Sequence, residues 1–248
     1  MSISRKQILA EILCKLRFRI SYIVRFLLFY IPQSIENITK ERHYERRFGI
    51  KTSTVYLLTD NLSLFKDGED YQPTPYKKLE KLVKYLKLNG NDVCVDLGCG
   101  KGRVVFFFAS QRVKKVIGVE LVENLVNIAK KNLKNLKIKD RAPVEIFHAD
   151  VTDFNFEECT IFFLFNPFGY QTLEKVILNI KSTLAANPRK IRILYYNPVH
   201  RQVLDNEDWL ILEGQVEKTN IFVWHNKLNE LGENFCGVTD KFRADVLK

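Results

Sequence analysis

The chain has 248 residues, of which 46% are hydrophobic and 27% charged, and a formal net charge of +10. That length holds one domain with a sizeable core plus an appendage, excludes two full enzymatic domains, and has the composition of an ordinary globular protein. The charge is concentrated at the front: residues 1–48 carry ten Lys/Arg against four Asp/Glu, leaving 29 against 25 elsewhere, so composition does not support a nucleic-acid partner for the main body.

Residues 5–31 place Ile8, Leu9, Ile12, Leu13, Leu16, Ile20, Ile23, Val24, Leu27 and Leu28 near helical spacing, with basic residues interleaved, until Pro32 stops the run. No stretch of about 18 uncharged apolar residues occurs, so a membrane span is not expected. A signal peptide is not expected either, because no small-residue cleavage site follows. Three placements fit this basic amphipathic helix: on the domain body, on an anionic membrane surface, or against a partner. The dense run Glu41 to Arg47 reads as a solvated helix face, with His43 on its surface. A turn is expected at Asp67 to Asp70. The two prolines of Tyr71-Gln72-Pro73-Thr74-Pro75-Tyr76 then keep the chain extended, and Thr74 is placed to cap a helix over 76–88 that ends at Gly90.

Val93 to Asp96 reads as a buried strand, followed by glycines at 98, 100 and 102 and the apolar helix 104–109. Strand, glycine loop and helix form the nucleotide-binding corner of an open α/β sheet. The third glycine is one residue early for a dinucleotide fingerprint, Arg103 stands where that site keeps a small residue, and no Walker loop is present. An acid ahead of G-x-G-x-G suits a ligand with an ammonium group and no phosphate. Glu120 closes a second strand (113–120), 20 residues past Gly100, where a carboxylate can accept hydrogen bonds from two ribose hydroxyls. A helix (124–137) leads to a third strand (144–150) ending at Asp150, with His148 read as a satisfied buried histidine. The all-apolar strand 160–165 is expected at the centre of the sheet. It runs into Asn166-Pro167-Phe168, a helix (172–186), a fifth strand (190–196) with a second Asn-Pro loop reaching His200, and an antiparallel pair at 209–213 and 220–225. The five cysteines, Cys14, Cys94, Cys99, Cys159 and Cys236, contain no C-x-x-C pair, so neither a metal site nor a disulfide framework is indicated, and reduced thiols in the cytoplasm are the expectation.

Asp96, Gly98, Gly100 and Gly102 resemble the first motif of the class I S-adenosylmethionine (SAM)-dependent methyltransferases, [VIL]-D-x-G-x-G-x-G. With the R-R-F-G-I and Y-Q-P-T-P-Y stretches, the chain is similar to bacterial members of that class, over about residues 75–226. The resemblance implies an open, mostly parallel seven-stranded α/β sheet with helices on both faces, preceded by an N-terminal helical segment. It divides the chain into a basic helical extension (1–48), a lead-in and lid (49–88), the SAM-dependent domain (89–226) and a polar tail (227–248). It implies SAM as cofactor, held by Asp96, Gly98, Gly100, Gly102, Glu120 and Asp150, with Asp150 on the adenine amino group and Thr74 in a segment closing over the cofactor.

Asn166-Pro167-Phe168 is similar to the [DNS]-P-P-[YF] loop of amino-group methyltransferases, with one proline in place of two. The resemblance gives the Asn oxygen and the proline carbonyl the role of aligning a target nitrogen, and the Phe168 ring that of packing on a planar substrate. Tyr195, Tyr196, Asn197 and His200 would line the far side, His200 as a base if the acceptor must lose a proton. The expected activity is methyl transfer to an amino or amide nitrogen of a small-molecule, protein or lipid-linked acceptor. The expected location is cytoplasmic, with residues 5–31 offering a contact at the inner membrane face. The alternatives are a non-catalytic SAM-binding interaction module and an NAD-dependent dehydrogenase.

Overall fold

A computed structural model of the chain describes residues 38–54 and 71–227. The amphipathic run 5–31, the expected turn at 67–70 and the tail from 228 onward lie outside them. The chain divides into two compact units, Met1–Tyr44 and Glu45–Lys248. Residues 38–48 are helical (α1), and the second unit contains everything that follows.

Helix α2 (Tyr76–Leu86) buries Tyr76, Leu79, Leu82 and Leu86, a spacing of three or four that gives it one apolar face. Its ends differ from expectation. Pro75 is the N-cap with no side-chain cap bond, and the left-handed residue that ends the helix is Lys87, not Gly90. Thr74 is therefore not a cap.

Strands β1 (Val93–Leu97), β2 (Lys115–Glu120), β3 (Val144–His148), β4 (Ile161–Leu164) and β5 (Arg192–Tyr196) are parallel, while β6 (Leu210–Gln215) and β7 (Ile221–Asn226) close the sheet. The spatial order is β3-β2-β1-β4-β5-β7-β6, with β7 antiparallel to both of its neighbours. This is the seven-stranded, mostly parallel α/β sheet expected. The connections are α3 (Arg103–Ala109) between β1 and β2, α4 (Glu123–Asn135) between β2 and β3, α5 (Tyr170–Ala186) between β4 and β5, and the single turn α6 (Gln202–Asp205). Strands β1 and β4 are buried at every position, as central strands covered on both faces must be. β3, at the edge, alternates toward solvent, so His148 is exposed rather than buried, with its Nε2 3.0 Å from the Leu121 carbonyl.

The order reverses between β1 and β4: the chain runs outward through β2 and β3, then returns to the far side of β1. A crevice opens at such a switch, beyond the carboxyl ends of the strands. The candidate residues are at or just past these ends. Among the described residues, no helix is long and apolar enough to cross a membrane.

Candidate active site

The glycine loop turns because Gly98, Gly100 and Gly102 all hold left-handed φ angles of 73°, 53° and 86°, a region that costs other residues roughly 1–2 kcal/mol. The N–H groups of Gly98 and Cys99 bond the Val119 carbonyl of β2 at 2.9 and 3.0 Å, tying the loop to the neighbouring strand. The close approach that the glycines permit is to the protein's own side chains. A Cβ on Gly98 would stand 2.5 Å from Pro167 Cβ, and one on Gly100 would overlap the Tyr71 ring. Pro167 is thus packed against the glycine loop, which joins the ends of β1 and β4 in one site.

Two buried acids serve this corner. Glu120 accepts from the Gly100 N–H through Oε2 and from the Val122 N–H through Oε1, both at 2.8 Å, so the 20-residue spacing does bring the acid to the loop. Burial raises its pKa, and the backbone N–H bonds oppose the rise. Asp96 is 4% exposed, and its carboxyl accepts no hydrogen bond among the described residues. Burial first, and the nearby Glu120 second, push it well above the ordinary carboxylate range. A carboxyl left unpaired at this depth is costly unless a cation or donor completes it.

Asp150 lies two residues beyond the end of β3 and is exposed. Its Oδ1 accepts from the Thr152 N–H and hydroxyl, both at 2.8 Å. The neighbouring Ala149 N–H bonds the Glu120 carbonyl at 3.1 Å, which keeps Asp150 beside the end of β2.

On the other side of the switch, Asn166 takes a left-handed φ of 43° and Asn197 one of 52°. Both precede proline, which disfavours helical backbone in the residue before it. Tyr195, fully buried on β5, donates its hydroxyl to Asn166 Oδ1 at 3.0 Å and receives the His200 N–H at 3.4 Å. One phenol therefore fixes Asn166 and joins the two Asn-Pro loops. His200 meets Tyr170 edge-on with ring centroids 6.2 Å apart, and Phe165 stacks on Tyr196 at 4.2 Å. Phe168 departs from expectation: it is buried in the main apolar cluster with Leu173 and Val176, because the chain turns inward there to start α5, so its ring does not face a substrate. No group of three or more His, Cys, Asp or Glu able to hold a metal occurs among the described residues.

The residues that the sequence reading missed form a strap over the glycine loop. Arg103, 2% exposed, donates from Nε to Thr52 Oγ1 at 2.8 Å, from one terminal nitrogen to the Thr74 carbonyl at 3.2 Å and from the other to Ser53 Oγ at 2.9 Å. That second terminal nitrogen stands 3.6 Å from the Glu45 carboxylate. Glu45 also accepts the Thr52 N–H and hydroxyl, so this member of the 41–47 run turns inward. Lys101 Nζ donates to the Thr54 carbonyl at 2.7 Å, and Asn132 of α4 bonds both the N–H and the carbonyl of Lys51. Thr74 is buried, and its carbonyl is one of the groups that Arg103 grips. The signal in the sequence was an arginine heading an otherwise wholly apolar helix, since a cation in such a place requires partners.

Residues 94–187 match the family model described as "Methyltransferase domain". Over those residues the chain is similar to the class I SAM-dependent methyltransferases. Over 87 residues the chain is 31% identical to a protein-lysine N-methyltransferase of Saccharolobus islandicus, an alignment spanning 34% of this chain and 54% of that protein. It is 28% identical, over 73% of its own length and 92% of the other, to a probable cobalt-precorrin-6B C(15)-methyltransferase (decarboxylating) of Methanocaldococcus jannaschii. Of the first curated relatives it matches, the chain thus spans about half of one and, for an uncharacterized RNA methyltransferase of Bacillus cereus, 20%. A solved RNA methyltransferase of Salinibacter ruber, in complex with S-adenosyl-L-homocysteine, shares the methyltransferase fold at a TM-score of 0.50 and 21% identity, covering 64% of this chain and 94% of the other.

Proposed function

We propose that the chain is a SAM-dependent methyltransferase that transfers a methyl group to an amino or amide nitrogen. The observation that carries the reading is the pair of buried carboxyls at the switch point, with Asp96 unpaired and Glu120 bound to the glycine loop. Asp96 is suited to the cofactor's ammonium group, and the lone pairs that Glu120 does not use on backbone N–H groups are suited to ribose hydroxyls. Asp150, with Oδ1 committed to Thr152, offers Oδ2 to the adenine amino group.

When bound, SAM supplies an electrophilic methyl group. What the chain must add is alignment and exclusion of water. Pro167, packed on Gly98, sets the distance between the acceptor loop and the cofactor loop. Asn166, held by Tyr195, presents its amide and the following carbonyl to the incoming nitrogen. His200, half-buried beside Tyr170, is the base if that nitrogen arrives protonated.

The relatives' names divide between nitrogen and carbon: one is a protein-lysine N-methyltransferase and another a release factor glutamine methyltransferase, whereas others methylate C(15) of a precorrin or C(5) of a uracil, so the nitrogen reading rests on the Asn-Pro loop. Small-molecule, protein and lipid-linked acceptors stay within the proposal, and RNA joins them on the relatives' names. A cytoplasmic location is proposed on cysteine usage alone, and an inner-membrane contact through residues 5–31 on that run's sequence pattern alone.

Calorimetry of the full chain with SAM, S-adenosylhomocysteine (SAH) and NAD tests the cofactor. Incubation of cell-extract fractions with methyl-labelled SAM tests transfer. Binding of SAM and SAH with label entering one fraction is the expected result. Binding without label in any fraction favours the non-catalytic module, and binding of NAD alone overturns the assignment.

A further inference from the structure

We infer that Tyr71 is a positioning residue that favours a charged sulfonium over a neutral thioether at this site, an inference that rests on the SAM reading above. In SAM the sulfur is bonded to the ribose on one side and to the amino-acid chain on the other. With the ribose held at Glu120 and the ammonium at Asp96, the sulfur would lie between them, at the glycine loop. Gly100 is the residue on which the edge of the Tyr71 ring lies.

The ring is within electrostatic reach of Asp96 and Cys99, and its burial raises the phenol's pKa far above its ordinary value, so it meets the site as a neutral ring. Its hydroxyl is turned away, donating to the Thr52 carbonyl of the strap at 2.9 Å. The ring itself, lying on Gly100, is therefore what this side chain brings to the corner. It already receives one cation, with Lys101 Nζ 5.1 Å from the centroid, and Lys101 is pinned on that side by Thr54. The opposite face is the one assigned to the sulfonium, where a ring quadrupole attracts positive charge and gains nothing from a thioether.

The test compares SAM and SAH affinities by calorimetry on the full-length chain, wild type, Tyr71→Phe and Tyr71→Leu. Phenylalanine keeps the ring and removes only the Thr52 anchor, so the ratio of SAM to SAH affinity should be kept. Leucine fills similar space without a quadrupole and should weaken SAM by about three- to thirtyfold, with SAH nearly unchanged. The retained SAH affinity shows that the variant's site is folded. Equal weakening of both ligands in Tyr71→Leu would reduce Tyr71 to a structural wedge, and tighter binding of both would make it a plug, each overturning the inference. If wild type binds neither ligand, the SAM reading itself fails, a result distinct from either.

Discussion

Replacing Arg103 by alanine removes the buried guanidinium on which Glu45, Thr52, Ser53 and Thr74 converge. The loss can be worked from its partners. Ser53 is exposed and water will replace that bond, so it contributes little. Thr52 keeps its bond to Glu45. The Thr74 carbonyl, on a buried residue, loses its guanidinium donor, and the Glu45 carboxylate, 21% exposed, loses its ion-pair partner. Breaking a buried pair from one side costs about 3–5 kcal/mol, and the partial exposure of Glu45 puts the expectation near ~3 kcal/mol. Arg103→Lys keeps the charge but replaces three nitrogens, each serving a different oxygen, by one, so roughly half that loss is expected. Urea unfolding monitored by circular dichroism gives the free energies. Amide hydrogen exchange over residues 50–54 reports whether the strap has lifted. If the alanine variant stays within about 0.5 kcal/mol of wild type, or exchange at 50–54 is unchanged, Arg103 does not hold the strap.

Asp96 and Glu120 have pKa values raised by burial, so the folded state binds more protons than the unfolded state above about pH 4. Stability of the ligand-free chain should therefore fall as pH rises from there through the folded-state values. Asp96→Asn should flatten that fall and abolish SAM binding. Urea midpoints that do not differ between wild type and variant across that range would remove the basis of this expectation. SAM affinity should rise with pH over the same interval, because the cation is matched by the ionised carboxyl; calorimetry that finds it falling would contradict the pairing. Tyr195→Phe releases Asn166, and the rate of label transfer should drop by about three- to tenfold with SAM affinity kept; an unchanged rate would show that Asn166 is held by something else. Gly98→Ala forces a Cβ toward Pro167 at a left-handed φ and should cost about 1–3 kcal/mol, visible as a lowered melting temperature.

The regular part of the fold was legible because parallel strands buried on both faces leave continuous apolar runs, as at 93–95 and 161–164, and because the glycine loop dates the switch point by its spacing to Glu120. The strap was not legible. The bonds that tie residues 51–54 to Lys101, Arg103 and Asn132 join residues 47 to 81 positions apart through single polar side chains, and such bonds leave no periodicity. Phe168 misled for a related reason: a motif names residue types, whereas the direction of a side chain is set by the start of α5. His148 was misplaced because strand patterning does not say which strand is at the edge. Tyr71 was legible only as part of an extended proline-flanked stretch, since its partner Gly100 carries no side chain to announce the contact.

The buried guanidinium also determines where this protein can be shortened. A fragment beginning at residue 89, where the glycine-loop domain was expected to start, would keep Arg103 yet lack Glu45, Thr52 and Thr74. The orphaned cation would stand at the head of α3, beside the loop meant to receive the cofactor. Anyone trimming the gene for crystallisation should keep the first codon of the fragment upstream of Glu45.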